Sequence, residues 1–99
     1  MEVKDFQNKI IEFGATWDKK RKVQPNEQLT LNHLVEEIGE LAREYVSRES
    51  RPDKFSKKGL ENAIGDALMQ LVKLASLRNL NIEDVVLEII RDEQELLRE

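Results

Sequence analysis

Between Leu31 and Val46 apolar residues recur at Leu31, Leu34, Val35, Ile38, Leu41, Ala42, Tyr45 and Val46, the spacing of a helix with one apolar face. At roughly 100° per residue, Glu36, Glu37, Glu40 and Glu44 fall together in a second arc about 100° wide. Glu36 with Glu40 and Glu40 with Glu44 are like-charge i,i+4 pairs, each costing an isolated helix about 0.2–0.5 kcal/mol. A solvated face ordinarily alternates its signs. Crowded carboxylates point to a hard divalent cation, Mg²⁺ or Mn²⁺, which takes oxygen ligands alongside water and phosphate. An acidic solvated surface is the plain alternative.

A second stretch repeats the arrangement more weakly. Leu60, Ala63, Ile64, Ala67, Leu71, Leu74 and Ala75 form an apolar arc, with Asp66 on its flank and Asn62, Gln70 and Lys73 around it. If the two helices pack together, their acids converge in one cleft.

Glu36-Glu37-Ile38-Gly39-Glu40, followed after a spacer by Ile64-Gly65-Asp66-Ala67-Leu68, resembles the paired motif E-E-x-x-E and E-x-x-D of the MazG-like all-α nucleoside triphosphate pyrophosphohydrolases. The resemblance extends from about Phe6 to about Leu97 and is specific in these two helices. It implies a Mg²⁺-dependent (or Mn²⁺-dependent) enzyme that splits a nucleoside triphosphate into the monophosphate and pyrophosphate. Carried onto this chain, it implies Glu36 and Glu37 as the catalytic carboxylates and Glu37, Glu40 and Asp66 as metal ligands. One position departs from the pattern: three residues before Asp66, where the family has a glutamate, this chain has Ala63. Asn62, one turn before Asp66, offers a neutral amide oxygen in its place. On the helical wheel residue 63 lies between Asp66 and the apolar arc, so a glutamate there is expected to project into the acid cleft. Lys73, Arg51, Lys54 and Lys57 are the candidate holders of substrate phosphate. Two other readings stand beside this one. One is a non-catalytic nucleotide-binding or scaffold protein of the same fold that has lost a ligand, and the other is a helical interaction module whose acids meet a basic partner.

The chain, at 99 residues, reads as a single helical domain spanning 1–99, an all-α bundle of four main helices. Only five aromatic residues, Phe6, Phe13, Trp17, Tyr45 and Phe55, make a thin core for a monomer, so a homodimer or homotetramer is expected. A net charge of −4 argues against nucleic-acid or membrane-surface binding. With no cysteine there is no disulfide, thiolate nucleophile or Cys-ligated zinc, and no signal-like or membrane-length apolar run is present. The expected location is cytoplasmic.

Val3, Phe6, Ile10, Phe13 and Trp17 predict a first helix from about Val3 to about Lys19, with Phe13 and Trp17 expected in the core. The basic run Lys19-Lys20-Arg21-Lys22 suits a helix C-terminus. Pro25-Asn26 opens a loop, with Asn26 or Thr30 capping the acidic helix, which is expected to end near Arg48. His33, one turn before Glu37, reads as a surface residue near acids. Around Pro52 a basic loop leads to a helix capped by Asp53 or Ser56, placing positive charge at one end of the cleft. Asn79-Leu80-Asn81 breaks that helix, and Asn81 caps a fourth with a long apolar stripe running from Ile82 to Leu97.

Overall fold

The computed structural model describes residues 1–24 and 26–98. The loop-opening role expected of Pro25 lies outside the described residues. Four α-helices are described: α1 (Val3–Arg21), α2 (Glu27–Ser50), α3 (Lys57–Leu77) and α4 (Ile82–Leu97), with a 3-10 turn at Pro52–Lys54. None is long and apolar enough to cross a membrane.

Each boundary has a local cause. Asn26 starts α2, its Oδ1 accepting the Leu29 N–H at 2.7 Å, and Ser56 starts α3 by accepting the Gly59 N–H at 2.9 Å. Asn81 does the same for α4 through the Asp84 N–H at 3.1 Å. At the end of α1, Lys22 turns left-handed (φ 59°), and its N–H and that of Val23 reach back to the last carbonyls. Asn79 (φ 57°) takes the same conformation after α3. Helix α2 runs two residues past the expected end near Arg48 before the turn at Pro52 redirects the chain.

Two links at opposite ends show that α2 and α3 run antiparallel. Glu44, near the end of α2, accepts the Ser56 N–H at 3.0 Å, while Glu27, at its start, pairs with Arg78 just past the end of α3 at 3.3 Å. Gly59 makes the first link possible, since a Cβ there would come within 3.3 Å of the Glu44 carboxyl group. One of the four clustered acids Glu36, Glu37, Glu40 and Glu44 thus fastens the hairpin and is not free for a ligand.

Helix α1 packs on α3, also antiparallel, tied by Gln7 Nε2 donating to the Leu80 carbonyl at 3.2 Å and by Asp18 meeting Lys73. The buried core is as thin as the composition implies: Leu34, Ala63 and Val72 are its buried apolar residues among those described, and Thr30 is buried as well. Helix α4 makes no extensive packing contact with the other helices, and its stripe stands largely in solvent. The Cα radius of gyration is 16.5 Å, against about 13 Å for a compact chain of this length.

Candidate active site

The α2–α3 hairpin and α1 enclose a cleft of about 440 Å³ lined by Ile10, Phe13, Gly14 and Trp17 from α1, Glu37 from α2, and Asp66, Met69, Gln70 and Lys73 from α3. Asp66, Met69, Gln70 and Lys73 share one face of α3 because they are three, four and seven residues apart. Glu37 and Asp66, from motifs 29 positions apart (37 to 66), are brought to the same cavity by the antiparallel register.

The polar groups here are poorly satisfied. Oε2 of Glu37 and Oε1 of Gln70 are both shielded from water and accept no hydrogen bond. Such orphans are rare in folded proteins, and two acceptor oxygens in one cleft call for a cation or a donor from a ligand. Burial pushes the Glu37 carboxyl above the usual carboxylate range, and the negative charges of Asp66, Glu40 and Glu36 push it further, with His33 opposing them.

The donor set is all oxygen: two carboxylates and an amide. Mg²⁺ is commonly held by one or two carboxylates plus substrate phosphates and water, so Glu37 and Asp66, with the Gln70 oxygen beside them, fit that ion. Among the described residues no group of three or more acidic, histidine or cysteine side chains stands close enough to hold a metal by itself.

The remaining sequence candidates are placed less centrally. Glu36 and Glu40 are exposed and do not line the cleft, and neither does Asn62, exposed one turn before Asp66. Ala63 is 4% exposed, buried in the apolar seam of α3, and does not itself line the cleft. Arg51, Lys54 and Lys57 lie around the 3-10 turn, at the far end of α2, roughly 20 Å along the helix from Glu37, and not at the mouth of the cleft. Lys73 does line it, with Nζ paired to Asp18 at 2.8 Å.

Phe13 and Trp17 also depart from the core role expected of them. They are 53% and 48% exposed, stack on each other with centroids 6.1 Å apart, and form an aromatic wall of the cleft, with Arg21 over the Trp17 ring at 4.6 Å. Helical periodicity puts these rings on the right face of α1, but cannot tell a core from a cleft wall. Gln70 is visible in sequence as the residue one turn after Asp66. Asp18 carries no such signal, because its partner is 55 positions away.

No curated protein matches the chain. Residues 25–93 match the model of the MazG nucleotide pyrophosphohydrolase domain, a segment that covers α2, α3 and most of α4 and so includes Glu37, Asp66, Gln70 and Lys73. Matched over more than half its length, with both motif helices inside the match, the chain belongs to the MazG nucleotide pyrophosphohydrolase domain family.

Proposed function

We propose that this chain hydrolyses a nucleoside triphosphate to the monophosphate and pyrophosphate with Mg²⁺ or Mn²⁺ in the α1–α2–α3 cleft. The observation that carries the reading is the buried, unpartnered Oε2 of Glu37 in the same cavity as Asp66. In this reading Glu37, Asp66 and the Gln70 oxygen would hold the cation, while Glu40 and Asn62 lie outside the cleft lining. When bound, the ion would neutralise charge on the triphosphate oxygens.

The chain's own groups divide the remaining work. A water oxygen bonds to phosphorus, the anhydride bond between the α- and β-phosphoryl groups breaks, and the water proton needs an acceptor. Glu37, whose Oε2 is buried and unpartnered in the cleft, is the proposed acceptor. Glu36, exposed on the preceding position of α2, is the secondary candidate. Lys73, steadied by Asp18, offers the cleft's cation to a phosphate oxygen. The Phe13–Trp17 wall offers an aromatic surface to the base.

Incubating the protein with a panel of nucleoside triphosphates and Mg²⁺, and measuring monophosphate and pyrophosphate together, tests the reading. Equimolar formation of the two from any member supports it, and no release across the panel contradicts it. A second reading, a nucleotide-binding protein without turnover, is favoured by the lack of a three-acid group among the described residues. It predicts nucleotide binding in the same panel with no product.

A further inference from the structure

Gly14 stands in the middle of α1, and two ordinary reasons for a glycine inside a helix do not apply to it. Its φ is not positive, so the backbone does not require it. A Cβ built there meets nothing within 4 Å, so no neighbouring helix packs into the gap. Alanine would fit, and glycine is a poorer helix former than any residue except proline. Position sets this glycine apart from the others with as much room. Gly39 and Gly65 are exposed and neither lines the cleft, whereas Gly14 is half-buried and does. The side chain that Gly14 lacks is therefore space in the cleft.

The notch is bordered on the same face of α1 by Ile10, one turn earlier, and by Trp17, one turn later, with Phe13 beside it. These residues are the whole α1 side of the cleft, and all of them precede the matched segment 25–93. They are apolar or bare. The polar side chains of the cleft, Glu37, Asp66, Gln70 and Lys73, all come from α2 and α3. A nucleotide has the same division, with its phosphates and their cation suited to the α2–α3 side and its base and sugar to α1.

We propose, resting on the reading that this cleft takes a nucleotide, that Gly14 makes room for the nucleoside. The base and sugar lie against the bare α1 backbone between Ile10 and Trp17, a close approach that a side chain at position 14 would block. Gly14 thus sets which ligands fit, and it gives up helix stability for that space.

Trp17 is the chain's only tryptophan, so its fluorescence reports on this cleft directly. Gly14→Ala and Gly14→Leu, both better helix formers than the parent residue, are titrated beside the parent with AMP and UMP, which carry the nucleoside. Calorimetric titration with tripolyphosphate and Mg²⁺ follows the phosphate side alone. Both variants should melt at a higher temperature than the parent. Monophosphate affinity should fall by at least about 10-fold in Gly14→Leu and by a smaller step in Gly14→Ala, while tripolyphosphate affinity stays within about 2-fold. A purely structural role would not raise melting temperature and lower monophosphate affinity together. Variants that bind both monophosphates as tightly as the parent overturn the inference and leave the proposed reaction standing, and Gly14→Ala decides by the same criterion if Gly14→Leu fails to fold. Equal losses of monophosphate and tripolyphosphate overturn it as well. A parent that binds neither ligand overturns the inference and the nucleotide reading together.

Discussion

Nζ of Lys73 lies 2.8 Å from Oδ2 of Asp18 and 2.9 Å from Oδ1, a two-oxygen ion pair that joins α3 to the last turn of α1 beside the acid cleft. Both side chains are largely withdrawn from water, at 22% and 10% exposure, so this pair is not a screened surface contact. Asp18→Asn should lower stability by about 1–3 kcal/mol, because the ammonium group keeps its burial and loses its counter-charge. It should also weaken triphosphate binding, as Lys73 is no longer held in the cleft. Urea denaturation and KM for the triphosphate check the two effects, and Asp18→Glu should recover part of each.

Glu37 makes the metal-free fold sensitive to pH in a defined direction. Its folded pKa stands above the ordinary 4.5, so between the two values the folded state binds more protons than the unfolded chain. Stability contributed by the protonated group is therefore full below about 4.5 and is lost as pH rises through the raised value. Glu37→Gln removes the charge and should be more stable than the parent by a few tenths to about 1 kcal/mol at neutral pH, with the gap closing in acid. Melting of both proteins across that range in a chelator decides the point. Divalent-ion affinity of the parent should rise with pH over the same window, since the cation displaces the proton.

Ala63 is the site where the family pattern and the packing disagree. A glutamate at this 4%-exposed position must displace seam residues and bury a charge. Ala63→Glu should therefore cost about 2 kcal/mol or more, through overpacking and desolvation, without raising Mg²⁺ affinity. Denaturation and Mg²⁺ titration of the variant are the check. Tighter Mg²⁺ binding by a well-folded Ala63→Glu protein would show that the side chain reaches the cleft after all.

Most of the helical scaffold is legible in the sequence. The caps at Asn26, Ser56 and Asn81 and the break at Asn79 are local chemistry, read within a few residues of where they act. The Glu37–Asp66 pairing follows from two acid flanks and a short turn. What is not legible depends on azimuth and on distant partners. A wheel locates an apolar arc about 140° wide on α2 but not which part α3 covers, so Leu34 is buried while Val35 is 62% exposed. Glu44 groups with the site acids in sequence because its bond to the Ser56 N–H forms only once the hairpin closes.

The Glu37 carboxylate carries the proposed chemistry, and pyrophosphate release by the parent and by Glu37→Gln, measured side by side over a Mg²⁺ titration, tests it most directly. The parent should release pyrophosphate in a Mg²⁺-dependent manner, and Glu37→Gln, folded and with the parent's association state, should fall by at least about 100-fold. Equal release by the two proteins at every Mg²⁺ concentration would contradict that role and move the chemistry out of this cleft.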